Sequence, residues 1–531
     1  MFFVVLLCFS FSSLLDQSAA ENEKYNILGI FPYPARSHYA VFDPLMVELA
    51  KRGHNVTIYD TFPKETSIPN YHEISIKSCF SLPNILGVDQ MNELTSDEFQ
   101  TLSALSEFLP SREEIFNCKP LQKLLTEEAG NFDVFITETF HMDFFLMYGA
   151  RLKTPIITFH SNTPLPWHSE RMGLPDNPSY LPFAYSMDPI DMGFWSRMKN
   201  AALKMYALII YRLYSENVFS ELAAEYFTVD RSALNEAVNN ISLLFLYSHF
   251  TLSPSSRPLT PNVIEVAGLN IKQPRELPEN IEKFINESKH GVVYFCMGSL
   301  LRGETFPPEK REAFLYAFSK IPQRVLWKWE GDVLPGKSDN IMISKWMPQR
   351  DILAHPNVKL FISHGGLLGT SEAVYEGVPV LGIPIFGDQR TNIKSLEANG
   401  AGELLDYNEI SKEVVLEKIQ RLLNDPKYKE NAKLLSDRYR DRPMSPLDTA
   451  VYWTEYVIRH KGAPHLRTAA ADMPWYQYLL LDVIAFIVAV LVAGLLIIYY
   501  TTKFILRAIY GLICGGGAKK GSSKSDKKKR N

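Results

Sequence analysis

The feature that most constrains this chain is a rhythm that occurs twice. "YNILGIF" (Tyr25 to Phe31) is a short apolar run; "VFDPLMVELAKRGH" follows with Val41, Leu45 and Leu49 at helical spacing and Gly53 as a stop; "NVTIYD" (Asn55 to Asp60) is apolar again. The alternation returns at "FDVFIT" (Phe132 to Thr137), a helical pattern from Met142 to Leu152, and "PIITF" (Pro155 to Phe159). A Pro- and Ser-rich segment, "TLSPSSRPLTPN" (Thr251 to Asn262), breaks it. It then restarts at "GVVYFCMGS" (Gly291 to Ser299) and runs through "RVLWKWE" (Arg324 to Glu330), "NIMISKW" (Asn340 to Trp346), "VKLFIS" (Val358 to Ser363) and "VPVLGI" (Val378 to Ile383). Short apolar strands alternating with helices make a parallel sheet with both faces covered. The expectation is two doubly wound α/β domains in tandem. A length of 531 residues, 46% of them hydrophobic and 21% charged, suits two cores better than one. A net charge of -4 argues against nucleic acid as a partner.

The ends read as addresses. Residues 1–20 form an apolar run closed by Ser18-Ala19-Ala20, the pattern of a secretory signal peptide, with an uncleaved anchor as the alternative. Val483 to Tyr500 contains no charge and is flanked by Trp475, Tyr476, Tyr478, Tyr499 and Tyr500, then by Lys503 and Arg507. Length, aromatic belts and basic flank predict a single-pass span over 478–502 with a basic cytoplasmic tail, 503–531. The closing Lys528-Lys529-Arg530-Asn531 fits a KKxx retrieval pattern, which implies a type I protein of the endoplasmic reticulum membrane with its bulk in the lumen. A polybasic stretch that only holds topology is the alternative reading. Between the ends, the expected parts are an N-terminal domain (21–262), a linker (263–279), a C-terminal domain (280–444), and a last helix with a juxtamembrane segment (445–477).

Three cysteines fall in the lumenal part. Cys79 and Cys118 can pair, though nothing in the sequence forces it, and Cys296 reads as a buried apolar residue. Asn55, Asn240 and Asn286 head N-x-S/T sequons. Asn55 is placed in a buried strand, which favours the other two for glycosylation.

In open parallel sheets, ligands sit at the carboxyl ends of strands. Ser299, Trp346 with Gln349, His364-Gly365-Gly366, and Asp388-Gln389 all fall at such ends in the second domain. Together they suit a nucleotide sugar. Free amides at the Gly-Gly helix start favour a phosphate, and His364 adds a donor, or a charge when protonated. Trp346 offers a face to a flat base, Glu372 can accept from ribose hydroxyls, and Asp388 and Gln389 offer acceptors and a donor to a hexose. The Gly-Gly turn is not G-x-G-x-x-G and no G-K-[ST] follows it, so dinucleotide and P-loop readings lose ground. In the first domain, His38 in "PYPARSHYAVF" stands at the strand-to-helix junction, where an imidazole can act as a base.

"FISHGGLLGTSEAVYEGVPVLGIPIFGDQ" (Phe361 to Gln389), "WMPQRDILAHP" (Trp346 to Pro356), "RGHNVT" (Arg52 to Thr57) and the terminal anchor together resemble the UDP-glycosyltransferase family, closest to insect membrane-bound members of its UDP-glucuronosyltransferase-like group. The resemblance implies a GT-B fold, two Rossmann-like domains facing a cleft. The N-terminal domain would bind the acceptor and the C-terminal domain the UDP-sugar. Carried over, Trp346 stacks on uracil, Gln349 bonds near the ribose, Glu372 holds its hydroxyls, Ser299, His364 and the Gly366 amide hold the diphosphate, and Asp388 and Gln389 hold the sugar. His38 becomes the catalytic base. Its supporting carboxylate, usually Asp in the family, is Glu138 here, with Asp143 as rival. Leu368 replaces the Asn of the family's HGG-x-N pattern.

The implied chemistry is inverting, without a metal or other cofactor. A hexose moves from UDP-sugar to hydroxyls of small lipophilic molecules, as in detoxification or hormone and pigment conjugation. "SLLFLYSHF" (Ser242 to Phe250) lacks the Arg that glucuronate users of the family tend to place there, which favours glucose. UDP-glucuronate as donor, and a non-catalytic lipophile-binding protein on the same scaffold, are the alternatives. Acceptor contacts are expected from residues 67–116 and 164–213, where Phe183, Tyr185, Phe194 and Trp195 suit a flat lipophilic molecule or core packing equally. Membrane lipid is the other expected partner, and a homo-oligomer is left open.

Overall fold

The computed structural model describes residues 23–64, 67–81, 87–106, 109–126, 131–188, 191–253 and 256–514. The expected signal peptide and the basic tail beyond 514 lie outside the described residues.

The N-terminal half is built on a seven-stranded parallel sheet: β1 (Asn26–Phe31), β2 (Asn55–Asp60), β3 (Tyr71–Ser75), β4 (Val134–Glu138), β5 (Ile156–His160), β6 (Ile241–Leu246) and β7 (Val263–Glu265), in the order β3-β2-β1-β4-β5-β6-β7. The C-terminal half has six: β8 (Val292–Cys296), β9 (Arg324–Lys328), β10 (Ile341–Ser344), β11 (Val358–Ser363), β12 (Val380–Gly382) and β13 (Gly402–Leu404), in the order β10-β9-β8-β11-β12-β13. In both sheets the order reverses beside the first strand. Each half therefore has a crevice at the carboxyl ends of two strands: β1 and β4 in one, β8 and β11 in the other.

Five helices position the site or join the halves: α1 (Arg36–Lys51), α2 (Phe194–Ile210), α3 (Leu367–Glu376), α4 (Gln389–Ala398) and α5 (Pro446–Arg459). α1 starts earlier than its apolar spacing suggests and runs through Pro44, so His38 stands in its first turn rather than in a loop. The predicted linker 263–279 needs correction. Its first residues form β7, which pairs with β6 through Val263, Ile264 and Glu265. Such a short edge strand carries too little pattern to read.

α5 does not simply lead away from the C-terminal half. It returns to α1, where Arg52 pairs with Asp448 and His54 Nε2 lies 3.2 Å from Glu455 Oε1. One continuous core joins Phe31 and Leu45 of the N-terminal half, Tyr294 and Phe361 of the C-terminal half, and Val451 and Val457 of α5. Cys79 and Cys118 form a disulfide. Asn55 is exposed at the start of β2, which corrects the expectation that it is buried; Asn240 and Asn286 are exposed as well.

Residues 472–514 belong to a separate unit. Its main helix, α6 (Leu481–Cys514), spans 34 residues and is long and apolar enough to cross a bilayer. The helix outlasts the span expected over 478–502 by continuing past Lys503 and Arg507, because nothing before Cys514 breaks it.

Candidate active site

The paired groups of the first crevice come from two strands. α1 follows β1 directly, so its first turn brings His38 over the end of β4. His38 Nδ1 lies 2.7 Å from Glu138 Oε1. The two side chains are 16% and 3% exposed, so the contact is largely shielded from water. Ser161 Oγ stands 3.1 Å from the same nitrogen, at the end of β5. Tyr33 stacks on the imidazole at 4.6 Å, and Phe140 meets it edge-on at 5.0 Å. Among the described residues no hydrogen bond engages Nε2.

Asp143 is not the carboxylate behind His38. It is buried, bonded to Arg171 through both oxygens, with Nη1 at 2.8 Å, and it accepts from the Tyr211 hydroxyl. A carboxylate so engaged has nothing left to orient another group. Sequence distance could not separate the two acids, since Arg171 and Tyr211 reach Asp143 from far along the chain.

Behind this crevice lie three more histidines. His160 Nδ1 and Nε2 lie 3.2 and 2.9 Å from the carbonyls of Thr139 and Thr163, to one of which the neutral ring donates, and His168 Nε2 lies 2.7 Å from the Thr139 carbonyl. His141 Nε2 lies 3.1 Å from the Tyr185 hydroxyl. Burial pulls His141 down to about 3, His160 to about 4, and His168 well below the ordinary range. Phe183 and Tyr185 belong to the aromatic core around Tyr33 and Phe140, whereas Phe194 and Trp195 at the start of α2 are exposed. The first pair, not the second, shares a cluster with the two rings that flank His38.

The second crevice is shaped by glycine. Gly298 and Gly365 adopt φ +85 and +83, a region open mainly to glycine. A methyl group at Gly298 would sit 2.6 Å from His364 Cε1, and one at Gly366 would sit 2.5 Å from Nε2. The His364 ring is thus held between two backbones at the start of α3. No side chain caps that helix, so its first amides remain open to an anion. Burial, with the Lys328 charge second, lowers His364 to about 4. This favours the neutral ring near pH 7, the donor rather than the charged form of the two expected roles.

The rest of the crevice is divided between open and committed groups. Ser299 is exposed beside Gly298, and the Trp346 indole is 62% exposed. Gln349 Nε2 donates to Glu372 Oε2 at 2.7 Å, which joins the two expected ribose contacts into one polar edge. Burial raises the Glu372 carboxyl, and the Gln349 bond opposes this.

Gln389 is buried. Its Oε1 accepts from the amides of Ile385 and Phe386 at 2.8 and 3.1 Å. Its acceptor is spent on its own loop, so only its amide donor remains for a ligand. Asp388 receives Asn392 Nδ2 at 2.6 Å, and the same amide donates to the Gly365 carbonyl at 3.0 Å. Asn392 thereby ties the Gly-Gly turn to the Asp388 loop. It follows Asp388 by one helical turn, and that spacing is the signal that could have found it. Ser161 could have been found by applying the strand-end rule to β5. Leu368 is half-buried against the core and offers nothing polar.

The two crevices belong to one site. Phe386, in the Asp388 loop, packs against the aromatic cluster that holds Tyr33 and Phe140, so the two crevices adjoin; burial raises the Asp388 carboxyl. Around the site the halves are stitched together. Thr391 Oγ1 donates to the Ala184 carbonyl at 3.1 Å, Thr95 Oγ1 to that of Ile385 at 2.9 Å, and Ser395 Oγ to that of Leu252 at 2.7 Å.

Two Rossmann-like domains, each with a parallel sheet whose strand order reverses beside its first strand, make a GT-B fold. The chain belongs to the UDP-glucoronosyl and UDP-glucosyl transferase family, whose model matches residues 80–515. It is 60% identical to UDP-glycosyltransferase UGT5 of Dactylopius coccus over 93% of this chain and 94% of that one. It is 40% identical to UDP-glucosyltransferase 2 of the same insect over the full length of both, and 34% identical to UDP-glucuronosyltransferase 2B1 of Rattus norvegicus over 88% and 91%. Among solved structures, a UDP-glucose: anthocyanidin 3-O-glucosyltransferase in complex with UDP superposes with a TM-score of 0.55 at 16% identity, over 82% of this chain and 99% of that one. That likeness concerns the fold. The chain is a UDP-glycosyltransferase that transfers sugar from a UDP-sugar, and its C-terminal apolar helix points to membrane association.

Proposed function

We propose that this enzyme transfers glucose, with inversion, from UDP-glucose to hydroxyl groups of small lipophilic molecules. The observation that carries the mechanism is the 2.7 Å contact between His38 Nδ1 and Glu138, with Nε2 left unengaged. The carboxylate fixes the ring and stabilises the imidazolium that forms. Nε2 takes the acceptor's hydroxyl proton as that oxygen attacks the anomeric carbon, and the bond to the β-phosphate breaks with its electron pair leaving on UDP. Ser299, the His364 ring and the open amides of α3 receive the diphosphate. Trp346 covers the uracil, Gln349 and Glu372 hold the ribose, and Asp388 with the Gln389 amide holds the hexose. No metal is assigned a part.

Glucose is favoured over glucuronate for two reasons. Ser242 to Phe250 contains no Arg or Lys, and its strand portion, β6, is largely buried. The relative with "glucosyl" in its name is 40% identical, against 34% for the rat glucuronosyltransferase. The N-terminal half takes the acceptor, and the aromatic surroundings of His38 (Tyr33, Phe140, Tyr185) suit a flat apolar molecule. The terminal patterns support a type I endoplasmic reticulum protein with a lumenal catalytic part. The test is UDP release by the membrane-bound enzyme over a panel of phenols and steroids. Turnover at least tenfold faster with UDP-glucose than with UDP-glucuronate is expected; the reverse order would reject glucose as the donor.

A further inference from the structure

Leu368 leaves the diphosphate turn without an amide side chain, and the neighbouring strand carries a charge that the mechanism has not used. Lys328 closes β9, next to β8 in the sheet. The register sets Phe295 beside Trp327 and Cys296 beside Ser363. Lys328 therefore ends its strand at the same sheet edge as the Gly298-Ser299 turn and His364. The residue is only 8% exposed, and its Nζ lies 2.5 Å from Glu330 Oε1. The other oxygen of Glu330 accepts from the Glu304 amide at 3.4 Å, which ties the pair to the loop that begins at Ser299.

A buried ion pair gains little stability over apolar residues of the same size, because both charges lose water. The Lys328–Glu330 pair at this strand end is therefore weakly accounted for by stability and is placed to meet an anion at the Gly298-Ser299 turn. The Lys328 charge already acts on the crevice, since it helps lower His364.

We propose that Lys328 supplies the positive charge that meets the β-phosphate of the departing UDP, with Glu330 holding the ammonium in place until the donor enters. This rests on the proposed donor site. As the anomeric carbon–oxygen bond breaks, the electron pair goes to the β-phosphate oxygen, the acceptor proton goes to His38, and Lys328 keeps its own proton throughout. A fixed cation beside the oxygen that gains charge lowers the barrier more than it strengthens ground-state binding.

The full-length, membrane-bound enzyme tests this with inhibition by UDP and by uridine, which lacks phosphate. Lys328→Gln should weaken UDP at least tenfold while uridine changes less than twofold, and kcat should fall with it. Lys328→Arg should recover most of the UDP affinity. Glu330→Gln, nearly isosteric, should tighten UDP relative to uridine. Trp346→Ala is the control for the donor site and should weaken both ligands alike. If Lys328→Gln weakens UDP and uridine equally, or Glu330→Gln leaves their ratio unchanged, the role of Lys328 is wrong. If Trp346→Ala leaves both ligands unchanged, the donor-site reading itself fails.

Discussion

The two halves share a topology and differ in how they spend their polar groups. In the N-terminal crevice the groups are paired inward: His38 to Glu138, Asp143 to Arg171 and Tyr211, His160 and His168 to carbonyls. In the C-terminal crevice many are held open: Ser299, the Trp346 face and the uncapped start of α3. A proton-transfer site needs one nitrogen in one tautomer, which inward pairing secures. A donor site must receive a large polar ligand, so unspent donors on a rigid frame are the better arrangement. On the proposed reading, the same fold yields a base and a receptor, according to which side chains stand at the reversal of strand order.

The sharpest break in this comparison is His38→Ala. Transfer to a phenol should fall by about 10²–10⁴-fold, while UDP still binds, as read by UDP release and UDP inhibition. Full transfer by that variant would end the catalytic assignment. Next, Glu138→Gln and Asp143→Asn should part company. The first should lower kcat about a hundredfold with little change in melting temperature. The second should cost stability, about 3–5 kcal/mol for a broken buried pair, seen in thermal unfolding. Equal kcat losses in two equally stable proteins would erase the distinction between them. Trp346→Ala should raise KM for the UDP-sugar by about tenfold, from about 1–3 kcal/mol of stacking, with kcat nearly intact.

The smallest effect is in pH. His141, His160 and His168 are buried and held below their ordinary value of about 6.5. Their contribution to stability is present above that value. Acidification from about 6.5 toward 4 charges them in the unfolded chain first, so stability falls across that window. His141→Gln should flatten the acid limb of melting temperature against pH, and an unchanged slope would remove His141 from the cause.

Much of the fold was legible because periodicity is a local property. β2 and β11 fall on the predicted residues, and β1, β4, β5, β8 and β9 differ only at their ends. β3, β6, β7 and β13 escaped notice. β3 is partly exposed and mixes His72 and Glu73 among its apolar residues, and β7 and β13 are three residues long, so their pattern is too weak to read. β6 is a continuous apolar run, ISLLFL, which periodicity alone does not assign to a strand. The glycine turn and its neighbours were also visible, since strand ends and backbone freedom show in the residues themselves.

The sequence alone determined the two-domain α/β plan, the apolar terminal helix, and the set of groups at the strand ends, because each depends on residues close together in the chain. Only the tertiary structure decided which groups remain available. It gave Glu138 to His38 and withdrew Asp143, used the Gln389 oxygen on a loop, and left His364 neutral. It also returned α5 to the first domain and set the strand end at Lys328 on the same sheet edge as the Gly298-Ser299 turn. Those outcomes turn on partners far apart in sequence and on the loss of water, neither of which a local pattern records.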